Sequence, residues 1–262
     1  EIMPSLVGSE MCIRDRFDTK CVPDELIPYM GLLGSTLSLM DTKNYTYPEL
    51  TNEININCGG LATGTALYSD KVDFSKNTIV YEVKSKALYE KVPFVLGMME
   101  EIMYNTRFDD YKRLKEIIAR IKSRLEASLM GQGHSIAMLE CCAQFSESAY
   151  YSDILRGYKY YEFIKKLDEE FEQNKTQIVD KLNKLVGYIF NKDNVIVSLT
   201  ADDEGYDCFV KALSAKSCNI KDEHYNTAVR SFIPVNVKTG YTSASQVQYV
   251  ARCGNFVKDG YK

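Results

Sequence analysis

The feature that most restricts the fold is a change of hydrophobic period near Val92. Upstream, LATGTALYS (61–69) and TIVYEVKSKAL (78–88) carry β-branched and aromatic residues in short runs, joined by the polar turn DKVDFSKN. Such a pattern predicts two neighbouring antiparallel strands. Downstream the period is helical. Val92, Val95, Leu96, Met99, Ile102 and Met103 form one stripe, and Tyr111, Leu114, Ile117, Ile118, Ile121 and Leu125 another. Three more helical stretches are expected around Ile136 to Phe145, Tyr158 to Phe171 and Ile178 to Ile189. NVIVSLT then returns as a strand and EGYDCFVKALS closes as a helix. Strands, a block of helices, then a strand and a helix imply an α+β fold, a mainly antiparallel sheet with helices packed on one face.

Ahead of the strands, PDELIPYMGLLGSTLSLM places Leu26, Ile27, Met30, Leu33, Leu37 and Met40 on one helical stripe. Pro23 and two acids stand at the end the helix dipole favours. TYPE (Thr46–Glu49) has the form of a capping box opening the short helix ELTNEININC, and Gly59-Gly60 supplies its stop. Ser214 to Gly240 shows little periodicity and reads as a linker, after which QVQYVARCGNFV looks like a first strand of another domain.

Glu1 to Arg16 is expected to be foreign. LVGSEMCIRDR reads back into codons as the end of a transposase-based sequencing adapter, and the residues before it match the index region of that adapter. Such segments are set aside from fold reasoning. The protein proper is then expected to begin at Phe17, and about 245 residues remain, enough for one large domain and part of another. MCIRDRFDT nevertheless alternates Met11, Ile13, Asp15 and Phe17 against Cys12, Arg14, Arg16 and Asp18. It is expected to enter a vacant strand position, its inward face then carrying Asp15 or its other face two arginines, to fit poorly past Phe17, and to leave Glu1 to Ser9 loose.

Composition excludes several classes. Charged residues are 26% and hydrophobic ones 45%, with a net charge of −4 and both signs interspersed, so no nucleic-acid partner is indicated. No apolar run approaches the roughly 18 residues of a membrane span. Without Cys12, the cysteines are Cys21, Cys58, Cys141, Cys142, Cys208, Cys218 and Cys253. This odd, scattered set lacks C-x-x-C spacing and reads as free thiols in a reducing compartment, hence a cytoplasmic location, an organellar matrix being the other possibility.

No active site is visible. Zinc peptidases of the H-E-x-x-H or H-x-x-E-H type need two imidazoles one helical turn apart, whereas His134 and His224 are the sole histidines. Cys141 and Cys142, adjacent on a helix, point about 100° apart and suit packing better than a shared metal. Cys218 and His224 form an isolated couple in the linker. GQGH lies between two helices rather than after a strand, which argues for a connection over a phosphate loop. Tyr150-Tyr151 and Tyr160-Tyr161 read as half core and half rim, and KKLDEEFEQNK as a solvated face. The catalytic, cofactor and metal residue sets are all expected to be empty.

Three blocks carry a resemblance. YMGLLGSTLSLMDTKNYTYPELTNEININCGGLATGTALYSD, GQGHSIAMLECCAQFSESAYYSDILRGYKYYEFIKKL and SFIPVNVKTGYTSASQVQYVARCGNFVKDGYK occur in the order seen in the second half of the presequence protease and falcilysin branch of the pitrilysin/insulinase zinc metallopeptidases. The resemblance covers nearly all of Phe17 to Lys262. It implies a LuxS-like α/β sandwich, with a third-domain-like unit over 17–213, a linker over 214–240 and the start of a fourth domain over 241–262. Family members close four homologous domains as a clamshell around a chamber, with zinc held in the first domain by H-x-x-E-H and a distal glutamate. This region would then be a non-catalytic chamber wall whose partners are the first, second and fourth domains of its own polypeptide. Zinc and peptide substrates would belong to the parent enzyme, and neither nucleic acid nor membrane to either. The rival reading is a structural or partner subunit of the same fold without peptidase activity.

Overall fold

The computed structural model describes residues 10–73, 76–215, 221–242, 246–256 and 260. Its strands are β1 (Glu10–Asp18), β2 (Leu61–Ser69), β3 (Asn77–Leu88) and β4 (Val195–Thr200), in the spatial order β2-β3-β1-β4 with every pairing antiparallel. The helices are α1 (Ile27–Thr36), α2 (Tyr47–Asn57), α3 (Val92–Asn105), α4 (Tyr111–Gly131), α5 (Gly133–Ala143), α6 (Glu147–Arg156), α7 (Tyr158–Glu169), α8 (Phe171–Ile189) and α9 (Asp203–Ala215). This is the expected α+β class.

Two expectations about the helices need correction. The polar decapeptide ESAYYSDILR forms α6, which the periodicity does not predict; the Ser146 hydroxyl accepts the Ala149 amide and caps it. Helix α1 is shorter than its stripe: Pro23 to Leu26 makes a 3-10 turn, α1 proper begins with Pro28 in its first turn, and it ends at Thr36. Leu37 and Met40 are still fully buried because the following turn folds back onto the core.

Gly59-Gly60 stops α2 as expected. Gly60 has φ +133°, a conformation open to glycine, and the reversal lets Gly59 N–H reach Lys86 O at 2.9 Å and start the β2–β3 ladder. On β3, Ile79, Tyr81, Val83 and Ala87 face the helices and are buried. Phe190, at the end of α8, receives Phe17, Tyr81 and Tyr104 edge-on with centroids 5.0, 5.6 and 5.9 Å away. Aromatic contacts of this kind add to area burial in fixing the sheet against the helical layer.

Strand β1 occupies the centre of the sheet. Met11, Ile13 and Phe17 are buried on its helix-facing side and Asp15 shares that side, flanked by Val83 on β3 and Val197 on β4. The ladder with β3 keeps its register from Glu10 to Asp18, while the ladder with β4 runs from Cys12 to Phe17. The expectation for Glu1 to Ser9 lies outside the described residues.

Beyond α9, residues 221–242 and 246–256 run as an arm without helix, and QVQYVARCGNFV carries no strand where described. Side chains pin it. The Arg230 guanidinium donates to Thr19 O and Val22 O, and Phe232 meets Tyr150. Tyr241 lies on Tyr158, Tyr249 on His134, and the Ala228 and Val235 amides reach Lys20 O and Gln144 O.

Candidate functional site

The most highly organised polar feature is the corner built by DTKNYTYPEL. Asp41 Oδ1 accepts the Tyr47 amide at the opening of α2. Glu49 closes the expected capping box by accepting from the Thr46 amide at 2.9 Å and the Thr46 hydroxyl at 2.8 Å. Beneath this turn lies Glu101 of α3, 6% exposed. Its two carboxylate oxygens accept the Asn44 amide at 2.9 Å, Asn44 Nδ2 at 2.8 Å and Asn105 Nδ2 at 2.7 Å. Burial works against the charged form, but hydrogen bonds from Thr42, Asn105 and Asn44 outweigh it and hold the carboxyl below its ordinary range. Arg113 of α4 covers the outside, donating to Leu39 O while its guanidinium stacks 3.8 Å from the Tyr47 ring centroid. The motif is a folding device: its local bonds shape the start of α2, and Glu101 and Arg113 hold the α1–α2 connection to α3 and α4. Sequence reasoning misses Glu101, although a glutamate inside LGMMEEIMYN with Asn105 four residues on is a readable signal.

The second block is equally structural. Gly31 admits Tyr160 and the Leu155 carbonyl so closely that a Cβ there would lie 2.8 and 2.9 Å from them. Tyr160 and Tyr151 are therefore core, while Tyr150 and Tyr161 reach partners at the rim. GQGH forms the α4–α5 junction, and a Cβ at Gly133 would meet the Tyr249 ring at 2.6 Å, which explains the glycine without a ligand.

The unusual titratable group here is Glu140 of α5. Its carboxyl is raised by burial and by Asp153 of α6 beside it. Asp153, 1% exposed, accepts the Lys159 amide at the start of α7 at 3.2 Å and pairs with the Lys159 ammonium at 3.4 Å. The Tyr241 phenol, pushed up by its own burial and by Glu140, closes the group from the arm. These groups tie three helices to the arm.

The expected candidates are not brought together. His134 lies against Tyr249 on α5, whereas His224 pairs with Asp193 at the far end of α8. Cys141 and Cys142 face the arm, and Cys218 lies outside the described residues. Among the described residues no group of three or more His, Cys, Asp or Glu is placed to hold a metal ion. The donors in hand therefore do not fit a catalytic zinc, which needs three protein ligands and an open position. No helix of the described residues is long and apolar enough to cross a membrane.

Comparison with known proteins places these features. Residues 13–167 match the family described as associated with subfamily C of the M16 peptidases. Protein HypA of Clostridium perfringens is 34% identical over 251 residues, covering 94% of this chain and 25% of that protein. The mitochondrial presequence protease of Yarrowia lipolytica is 28% identical over 173 residues, covering 66% of this chain and 18% of its own. The chain thus spans about a quarter or less of the length of these relatives. A solved peptidase M16 inactive domain from Pseudomonas fluorescens superposes with a TM-score of 0.53 at 15% identity, covering 87% of this chain and 49% of that one. A conserved protein from Enterococcus faecalis gives 0.58 at 11%, covering 82% and 48%. These last two likenesses establish the fold.

Proposed function

We propose, from the premise that this chain belongs to the family associated with subfamily C of the M16 peptidases and is a presequence protease-like C-terminal region of such an enzyme, that it is a non-catalytic wall of a peptide-degrading chamber. One observation carries the reading. Within the matched range 13–167 the polar and close-packed residues build the Glu101 corner, the Gly31–Tyr160 contact and the α6–α7 cap, which together make a rigid shape. A wall of that kind excludes folded proteins by size and holds short unstructured peptides in place, while zinc and its general base would sit on a domain elsewhere in the parent polypeptide. Such a metal lowers the pKa of its water toward neutrality, which is the chemistry the parent would supply.

The same reading divides the chain into a third-domain-like unit over 17–213, a linker over 214–240 and the start of a fourth domain over 241–262. It also assigns residues 1–16 a foreign origin. The support for that origin is the codon reading of LVGSEMCIRDR.

The test is complementation. Supplying the missing first half of the parent in trans, with the fourth domain completed past Lys262, is expected to restore cleavage of fluorogenic peptides, since positioning fails when remote contacts are lost. Full activity of the first half alone would refute the chamber-wall role. A parent lacking H-x-x-E-H and inactive when complete would establish the scaffold reading instead.

A further inference from the structure

The arm returns across the helical layer to bring Cys253 onto α5, where its sulfur stands 3.3 Å from that of Cys142. Both thiols are free and only partly buried. They are separated by 111 positions in the sequence and meet through the Tyr249–His134 and Tyr241–Tyr158 contacts that seat the arm. Cys253 is also oriented by Met138 O at 3.9 Å, and the neighbouring Cys141 points to Ala251 O at 3.9 Å. A disulfide requires sulfurs about 2.05 Å apart, so only about 1.2 Å of approach separates the observed pair from a bond.

We propose that Cys142 and Cys253 form a reversible disulfide that fastens the arm to α5 under oxidising conditions. The oxidant is a low-molecular-weight disulfide. The Cys142 thiolate attacks one of its sulfurs and expels the other half as a thiolate, giving a mixed disulfide on Cys142. Cys253, having lost its proton to solvent, then attacks Cys142 Sγ and expels the second half. Two protein thiols are oxidised, one small disulfide is reduced to two thiols, and no other reactant is consumed. Cys141 also interacts with Cys253 but is directed to Ala251 O, whereas Cys142 makes the direct sulfur approach of 3.3 Å, which favours Cys142 as the partner. The bond makes the freedom of residues 221–242 and 246–256 dependent on redox state.

The experiment treats the whole 262-residue chain with graded oxidised glutathione under native conditions, blocks remaining thiols with iodoacetamide and maps linked peptides by mass spectrometry. The expected product links Cys142 to Cys253 and leaves Cys21, Cys58 and Cys208 alkylated. Proteolysis within 221–256 should slow on the order of ten-fold and recover on reduction. C142S or C253S abolishes both effects and C141S preserves them. Glutathione adducts without an internal bond, a Cys141–Cys253 link, or unchanged cleavage of the arm after oxidation would each overturn the proposal. The mapping on the unmutated chain decides the matter even where a variant misfolds, and its result is independent of any peptidase activity.

Discussion

Glu101 and Asp15 are both carboxyls pressed against the core, and they differ in everything that makes such a group tolerable. Glu101 sits in a ring of donors from Asn44 and Asn105 and is held below its ordinary range. Asp15 sits between Val83 and Val197 with its Oδ1 unpaired, and burial pushes it up from 3.8 to about 6. A chain can pack a carboxylate when it also supplies the groups that replace water. The Glu101 corner does this, and the strand around Asp15 does not.

The largest expected effect is at Glu101. Glu101→Leu leaves the Asn44 and Asn105 donors facing an apolar group and should destabilise the fold by about 3–5 kcal/mol. For a domain of this size that lowers Tm by roughly 10 °C. A loss below about 1 kcal/mol in denaturant titration, the scale of an ordinary neutral hydrogen bond, would remove the distinction between the two sites.

Next is Asp15→Val, expected to stabilise. The folded-state pKa lies above the unfolded value, so stability is fully present below pH 3.8 and is lost as pH rises through about 6. The substitution should therefore gain about 3 kcal/mol at about pH 8 and almost nothing of this electrostatic part near about pH 4. A pH-independent gain would trace the benefit to packing alone, and a loss in the alkaline range would show that Asp15 has a partner in solution.

The smallest effect sharpens the first region. Asn105→Ala removes one charge-assisted hydrogen bond from Glu101 but leaves both donors of Asn44, and should cost about 1–2 kcal/mol by thermal unfolding. Equality with Glu101→Leu would mean that the ring acts only as a unit.

Much of the fold was legible because local pattern and tertiary role agree. β2 and β3 are bounded by Gly59-Gly60 and a polar turn, and α3 and α4 present unbroken apolar stripes. Helix α6 was hidden because its buried face is made of Tyr151, Ser152, Asp153 and Leu155, mostly polar residues, so its ten residues lack an apolar stripe. The meaning of the family blocks was less accessible. That Asn44 serves Glu101 across 57 positions, or that Arg230 reaches Thr19 across 211, depends on contacts without local periodicity. The seating of the arm, and with it the Cys142–Cys253 approach, has the same origin.

The central claim is that this chain supplies shape and not chemistry, and metal analysis with a turnover assay on the purified chain tests it most directly. We expect no tightly bound zinc and no cleavage of fluorogenic peptides by the chain alone, with activity appearing only when the rest of the parent is present. Stoichiometric zinc together with chelator-sensitive turnover by the isolated chain would contradict the account.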